Sequence, residues 1–178
     1  MHVLVAGGGI GGLTAALSLH AAGIDVEVAE SARRVQALGV GINLLPHAMR
    51  ELSELGLGEA VEAAGIAPTA LGYFDRFGST ICSEPRGRTA GYRWPQVSIH
   101  RGTLQMLPLD AVRERLGARS VRTGLTVEGF AQTGRAVHVR LRDRSTRAPQ
   151  TVVTDALVGA DGINSTVRAR LHPVCAMT

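Results

Sequence analysis

The chain has 178 residues, of which 45 % are hydrophobic and only 3 % aromatic, so aliphatic side chains must fill its core. The net charge of +4 comes from scattered arginines in a chain without lysine, and no basic run is interleaved with aromatic residues, which argues against a nucleic-acid partner. Cys82 and Cys175 form no CxxC pair, which argues against a zinc site or a disulfide framework and favours a reducing, cytoplasmic setting.

The first thirty residues predict a βαβ unit. His2–Ala6 is all apolar after its first residue, as expected for a strand buried on both faces of a parallel sheet. Apolar residues then recur at helical spacing, namely Leu13, Ala16, Leu17 and Ala21. Gly23 ends this helix, and Asp25–Glu30 is the second strand. Residues 3–24 carry no formal charge, but their glycines cluster at one end before an amphipathic helix, which argues against a membrane span.

Further helices and strands are predicted along the rest of the chain. The predicted helices are Pro46–Leu57, Arg101–Leu116 (ending at Gly117) and Gly162–Leu171. The predicted strands are Ala70–Phe74, Ser79–Ser83, Ser120–Arg122, Thr126–Ala131, Ala136–Arg142 and Thr151–Val158. Irregular or turn structure is predicted for Ser31–Asn43, Glu84–Pro95 and Arg142–Gln150. The last residues, His172–Thr178, contain no recognisable closing element.

The glycine run VAGGGIGGL predicts a site for a nucleotide pyrophosphate. Gly7, Gly9 and Gly12 form G-x-G-x-x-G, in which they allow a tight turn, close approach of a pyrophosphate and helix–strand packing, respectively. The helix N-terminus then offers free N–H groups to the phosphates. Glu30 ends the second strand, where a carboxylate accepts hydrogen bonds from ribose hydroxyls and favours FAD or NAD over NADP. The alternative is a glycine turn in an unrelated α/β protein.

Two further segments are candidates for cofactor contacts. In LGVGIN, Gly39 and Gly41 either let a flat ring lie against the backbone or belong to a plain loop. In IHRGTLQML, Arg101 begins a helix and is a candidate donor to phosphate or ribityl oxygens, with Gln105 one turn further on. His100 is expected to be packed rather than catalytic.

Asp161, in ALVGADGINSTVR, follows an apolar strand. It lies where α/β sheets bind ligands, or alternatively caps the next helix. No Ser-His-Asp order on a nucleophile elbow, no HExxH and no paired carboxylates are present, which suits an enzyme whose reactive chemistry belongs to a cofactor.

Together these motifs resemble the class A FAD-dependent aromatic monooxygenases, the p-hydroxybenzoate hydroxylase-like enzymes. GGGIGGL with Glu30, the arginine of IHRGTLQML and GADGINSTVR carry the resemblance. LGVGIN, LSELGLG, SEPRG and AVRERLG are similar to the phenazine-modifying branch, the 5-methylphenazine-1-carboxylate 1-monooxygenases. The fold implied is α/β: a Rossmann-like FAD-binding βαβ with a parallel sheet and additional antiparallel strands, truncated relative to the p-hydroxybenzoate hydroxylase-like fold.

The resemblance implies a cofactor, a reaction and a set of contacts. FAD is reduced by NADH or NADPH and reacts with O₂ to hydroxylate a small aromatic substrate, while catalytic residues of the protein stay unassigned and no metal is expected. The implied FAD contacts, from the pyrophosphate through the ribose to the flavin, are Gly7, Gly9, Ile10, Gly11, Gly12, Glu30, Gly41, Arg101, Gln105 and Asp161. Asp161 is tied in the family to the nicotinamide nucleotide as well.

Two features depart from the family pattern. Gln36 stands where relatives often carry a basic residue, and a further Gly-Asp motif of the family does not occur. We therefore expect residues 1–178 to be the N-terminal part of the FAD-binding domain, with part of the substrate-domain sheet inserted around residues 64–98 and the C-terminal half of the family absent. We expect this part to bind FAD weakly or not at all. The alternatives are another FAD- or NAD-linked oxidoreductase and a non-catalytic remnant of the fold.

Overall fold

The computed structural model describes residues 1–173 and contains five α-helices and eleven strands within that range. The helices are α1 (Ile10–Ala21), α2 (Pro46–Glu54), α3 (Gly58–Ala64), α4 (Arg101–Leu116) and α5 (Thr166–Leu171). The strands are β1 (His2–Ala6), β2 (Asp25–Glu30), β3 (Gly41–Leu44), β4 (Ala70–Phe74), β5 (Thr80–Pro85), β6 (Val97–His100), β7 (Val121–Thr123), β8 (Leu125–Thr133), β9 (Ala136–Asp143), β10 (Pro149–Thr154) and β11 (Ala156–Gly159). The predictions for Cys175 and for residues 174–178 lie outside the described range.

The chain divides into two compact units. The first comprises Met1–Gln36 and the described residues from Pro108 onward, and the second comprises Ala37–Leu107. Within residues 1–173 no helix is long and apolar enough to cross a membrane.

The first unit is built on a four-stranded parallel sheet in the order β11-β1-β2-β7. The central strand β1 is apolar from Val3 to Ala6 and fully buried there, because both faces of the strand are covered. Helix α1 buries Leu13, Ala16 and Leu17, as predicted, whereas Ala21 is exposed in its last turn. The predicted bounds of β1 and β2 are confirmed at both ends.

A three-stranded antiparallel sheet, β10-β9-β8, forms the second layer of this unit. Its inward residues share one core with β1, β2 and α5, formed by Leu4, Ala6, Ala29, Leu125, Val127, Val139, Leu141 and Val167. The single predicted strand Thr151–Val158 is wrong, because it is two strands in different sheets. The chain changes sheets at Asp155, whose N–H donates to the carbonyl of His2 at 2.9 Å and whose carboxylate accepts from the His2 N–H at 2.6 Å.

The second unit contains two antiparallel pairs, β3–β6 and β4–β5, with helices α2 and α3. The predicted loop Ser31–Asn43 is wrong at its end, because residues 41–43 pair with β6. The predicted helix Pro46–Leu57 ends at Glu54, because Gly56 takes a left-handed conformation (φ 73°) before α3 begins. The pair β4–β5 is exposed at every residue.

The remaining differences concern element ends. The predicted irregular segment Glu84–Pro95 begins inside β5 and contains a short 3₁₀ helix at Gly87–Ala90. Helix α5 begins at Thr166 rather than at the predicted Gly162, where a left-handed backbone (φ 80°) interrupts the chain. Helix α4 has the predicted bounds and is followed by Gly117 with φ 98°.

Candidate functional site

The glycine loop lies between the end of β1 and the start of α1. Gly9 is the N-cap of α1, with φ −75° and ψ 176°, and no side chain caps the helix there. The Gly7 N–H donates to the carbonyl of Ala29 in β2 at 2.8 Å. The loop is thus held against the sheet, while the first N–H groups of the helix have no side-chain acceptor from its N-cap.

Two glycines of the loop are required by the fold itself. A Cβ on Gly12 would lie 1.9 Å from the carbonyl oxygen of Gly7, and a Cβ on Gly7, whose φ is 108°, would lie 2.3 Å from the carbonyl oxygen of Ala160. Helix α1 therefore approaches the loop at a distance that only glycine allows, as the motif predicts.

Three other glycines are not required by the fold. Of all the glycines, which all lie within residues 1–173, only Gly9, Gly11 and Gly41 combine an ordinary backbone conformation with open space around the Cβ position. Gly11 is the second residue of α1, and glycine is a less favourable helix residue than alanine. Bare backbone facing free space fits a ligand that must approach the main chain closely.

Glu30 points towards the glycine loop. Its Oε2 accepts from the Gly8 N–H at 2.6 Å, and its Oε1 accepts from the Ala32 N–H at 2.6 Å and from the Ser31 hydroxyl at 3.1 Å. A carboxylate has about four lone-pair sites, so these three bonds leave capacity for a ribose hydroxyl. The main chain thereby fixes the orientation of this acceptor beside the N-terminus of α1.

A cavity of about 400 Å³ lies at the carboxyl ends of the parallel strands, where α/β sheets bind ligands. Four of the predicted site residues line it, namely Gly7, Gly9, Glu30 and Asp161. Ser31, Thr126 and Asn164 also line it and were not predicted. Asn164 belongs to the GADGINST segment and was within reach of sequence reasoning, but Thr126 joins the cavity only through the tertiary fold.

Asp161 contributes to the cap of helix α5, whose N-cap residue is Ser165. Its Oδ2 accepts from the N–H groups of Thr166 at 2.7 Å and Val167 at 3.2 Å, and its Oδ1 accepts from the hydroxyl of Ser165. Of the two interpretations of this residue, the structure shows the capping role directly. Because Asp161 also lines the cavity, a ligand contact remains compatible with it.

The other predicted contacts, Gly41, Arg101 and Gln105, belong to the second unit. Gly41 pairs with His100 in the β3–β6 ladder, and the Arg101 N–H donates to the carbonyl of Val40 at 2.8 Å. Arg101 is exposed at the start of α4, and Gln105 is half-buried one turn further on.

His100 has a structural role. Its Nδ1 accepts from the Thr103 N–H at 3.4 Å, so its Nε2 donates to the carbonyl of Gly39 at 2.9 Å. The ring thereby joins the loop before β3 to the start of α4.

The described residues contain no group of three or more His, Cys, Asp or Glu side chains that could hold a metal ion. Main-chain donors, a carboxylate acceptor and open space at the tip of a helix define the site. This combination on a parallel βαβ unit defines a dinucleotide-binding domain of the Rossmann type.

Comparison with known families identifies the kind of dinucleotide. The family described as FAD binding domain matches residues 1–174, and the chain belongs to that family. It is 55 % identical over 174 residues to the phenazine 1,6-dicarboxylic acid hydroxylase PhzS of Lysobacter antibioticus, covering 96 % of this chain and 42 % of that protein. It is 38 % identical over 172 residues to the aurachin C monooxygenase/isomerase of Stigmatella aurantiaca, covering 96 % and 43 %.

Solved structures agree with this assignment. The flavin-dependent monooxygenase PieE, in complex with FAD and substrate, superposes with a TM-score of 0.82 at 26 % identity, covering 96 % of this chain and 32 % of that one. The R204Q variant of HpxO from Klebsiella pneumoniae, complexed with FAD, gives 0.78 at 28 % identity, covering 95 % and 42 %. The chain thus spans less than half the length of these relatives. The resemblance to flavin-dependent aromatic monooxygenases and the predicted fold class are confirmed, and FAD is the cofactor of the family.

Proposed function

We propose that the chain is the FAD-binding part of a monooxygenase that uses NADH or NADPH and O₂ to hydroxylate an aromatic substrate of the phenazine type. The 55 % identity to a phenazine hydroxylase supports the substrate type. The observation that carries the cofactor role is the free space over Gly9 and Gly11, at glycines that the fold does not require.

The residues of the first unit fit the adenine-dinucleotide part of FAD. We propose that the pyrophosphate lies over Gly9, Ile10 and Gly11, against the N–H groups at the start of α1. Gly7 and Gly12 bring the helix close to the loop, and Glu30 accepts hydrogen bonds from the adenosine ribose. Asp161 would hold the start of α5 in place beside the cofactor.

The residues of the second unit fit the flavin half. Gly41 leaves free space beside the backbone for a flat ring, and Arg101 with Gln105 would donate to the phosphate–ribityl side. FAD, when bound, takes a hydride from the nicotinamide nucleotide and activates O₂. The chain's own contribution is to bind, orient and shield the cofactor.

We further propose that the β4–β5 hairpin belongs to the substrate-domain sheet expected around residues 64–98. Its large apolar side chains are exposed, among them Tyr73, Phe74, Phe77 and Ile81. An isolated two-stranded hairpin is marginally stable, which supports a larger sheet in the whole protein.

A reducing, cytoplasmic setting is supported by the exposed free thiol of Cys82.

The test of the cofactor role is an FAD titration in which binding is monitored by flavin fluorescence. We expect saturable binding in the range of about 10 µM or weaker, which corresponds to about −7 kcal/mol. Gly9→Val should abolish it, because the side chain would project into the proposed pyrophosphate space. Ser18→Val, on the exposed part of the same helix, is the matched control and should bind as the original chain does. Equal affinity of the Gly9→Val variant and the original chain would contradict the proposed pyrophosphate position.

A further inference from the structure

The second unit contains a cavity of about 490 Å³ that the proposed FAD contacts do not use. We call it the Trp94 cavity and define it by the six residues on which its chemistry depends: His47, Arg50, Arg86, Tyr92, Trp94 and Gln96. One wall is the start of α2. The other is the end of β5 together with the segment between β5 and β6; the SEPRG motif spans this junction.

The local backbone explains how the second wall forms. Gly87 is buried with a left-handed φ of 55°, and a Cβ there would lie 2.5 Å from the backbone nitrogen of Gln96. This contact folds the segment back on itself, so that Arg86 and Trp94 line the same cavity although they are eight positions apart in the sequence. Gln96 is only 9 % exposed.

The cavity combines aromatic surface with positive charge. Trp94 is half-buried, and the guanidinium of Arg93 lies 5.1 Å from the centre of its ring. Arg86 donates to Glu84 at 2.7 Å through Nη2, but its Nε is buried without a hydrogen-bond partner in the described structure. An unsatisfied donor on a charged group is costly, and the fork of a guanidinium fits a carboxylate.

The cavity is also placed close to the proposed flavin contacts of the same unit. In the β3–β6 ladder, Gly41 pairs with His100 at one end, next to Arg101, and Leu44 pairs with Val97 at the other. Leu45 and Gln96, the next residues beyond that second end, line the cavity. Gly41 and Leu44 are three residues apart along β3, which corresponds to about 10 Å.

We propose that the Trp94 cavity binds the aromatic substrate as its carboxylate, with Trp94 packing against the ring system and Arg86 binding the carboxylate group. The inference rests on the proposed function, because it assigns specificity-determining residues for the substrate of that reaction. Planar rings pack favourably on tryptophan, and an arginine carboxylate contact adds charge-assisted hydrogen bonds.

Trp94 is the only tryptophan of the chain, so its fluorescence reports directly on the cavity. The probes are phenazine-1-carboxylate and uncharged phenazine, titrated into the chain, with calorimetry as an independent measure of affinity. We expect both to quench Trp94, and the carboxylate to bind at least tenfold more tightly. Equal affinities for phenazine-1-carboxylate and uncharged phenazine would overturn the proposed carboxylate contact. Absence of saturable quenching and of binding heat with both probes would overturn the proposed binding site.

Variants assign the carboxylate contact to Arg86. Arg86→Met should lower the affinity for phenazine-1-carboxylate at least tenfold and leave the affinity for uncharged phenazine unchanged. Glu84→Gln should raise the affinity for the carboxylate, because Arg86 is released from its ion pair. Arg88→Met is the matched control, because Arg88 is paired with Glu62 at 3.0 Å and does not line the cavity. Unaltered affinity of a folded Arg86→Met variant, checked by circular dichroism, would overturn the assignment.

FAD titration of the same samples separates the two proposals. FAD binding without carboxylate binding overturns this inference alone. Carboxylate binding together with equal FAD affinity of the original chain and the Gly9→Val variant overturns the proposed cofactor site and leaves the anion site standing. Inorganic phosphate serves as a competitor, and displacement of the aromatic carboxylate by millimolar phosphate would identify the cavity as a general anion site instead.

Discussion

Alanine at Gly12 should mainly destabilise the fold, whereas alanine at Gly9 should mainly weaken FAD binding, although both glycines belong to one motif. At Gly12 the new Cβ would lie 1.9 Å from the carbonyl oxygen of Gly7, whereas real Cβ atoms essentially never approach closer than 3.0 Å. The backbone must therefore shift by more than 1 Å. Overpacking of this kind costs about 3 kcal/mol, and the better helix propensity of alanine offsets about 1 kcal/mol, which leaves a net loss of about 2 kcal/mol.

At Gly9 the same substitution meets no atom within 4 Å and leaves an ordinary backbone conformation. The cost there is the poorer N-cap propensity of alanine, about 0.5 kcal/mol. Urea unfolding separates the two variants. With a slope of about 2 kcal/mol per molar, Gly12→Ala should lower the midpoint by about 1 M and Gly9→Ala by about 0.3 M.

FAD titration of these variants completes the comparison. Gly9→Ala should be nearly as stable as the original chain and yet lose FAD affinity, because its methyl group occupies the proposed pyrophosphate space. The reasoning would be refuted by a Gly12→Ala variant as stable as the original chain. It would equally be refuted by a Gly9→Ala variant that unfolds at the same midpoint as Gly12→Ala.

Three further predictions concern carboxylates. Glu30→Gln should lower affinity for FAD about tenfold but leave FMN binding unchanged, because FMN lacks the adenosine ribose; equal losses for both flavins would argue against the ribose contact. Asp161→Ala should destabilise the chain by about 1–2 kcal/mol in urea unfolding through loss of the α5 cap, and an unchanged midpoint would show that the cap is dispensable. Backbone N–H groups of Thr146 and Ser145 hold the pKa of Asp143 below its ordinary value. This carboxylate therefore stabilises the folded chain above its unfolded pKa, and the contribution is lost as the pH falls through the lowered folded pKa, below about pH 4. The urea midpoint of Asp143→Asn should fall less steeply over that range, and parallel curves would contradict the assignment.

Local signals explain why the βαβ unit was predictable. The bounds of β1, β2 and α4 depend on apolar runs and on glycines that end helices, and all of these are visible within a few neighbouring residues. The same holds for the hydrogen bond that brings Glu30 to the glycine loop, since both ends belong to one βαβ unit. The fold class and a dinucleotide cofactor could therefore be inferred from local patterns, whereas FAD in particular was implied by the resemblance to flavin-dependent monooxygenases.

Long-range pairing explains most of what sequence reasoning missed. The segment Thr151–Val158 is rich in β-forming residues apart from Asp155 and Ala156, and its pairing with β9 on one side of Asp155 and with β1 on the other divides it. Residues 41–43 form a strand because β6, more than fifty residues later, pairs with them. The Trp94 cavity escaped prediction for the same reason, since its two walls come from distant segments of the chain.

The glycines themselves distinguish what the fold needs from what a ligand needs. A fold-only explanation accounts for Gly7 and Gly12, because a side chain at either would collide with main chain. It leaves Gly9, Gly11 and Gly41 unexplained, although a serine cap, a helical alanine or a β-branched strand residue would each be locally more favourable. These three positions forgo local stability and share free space over bare backbone. The fold alone does not account for these glycines. We therefore propose a dinucleotide lying against the backbone at Gly9 and Gly11, and a flat ring lying against the backbone at Gly41.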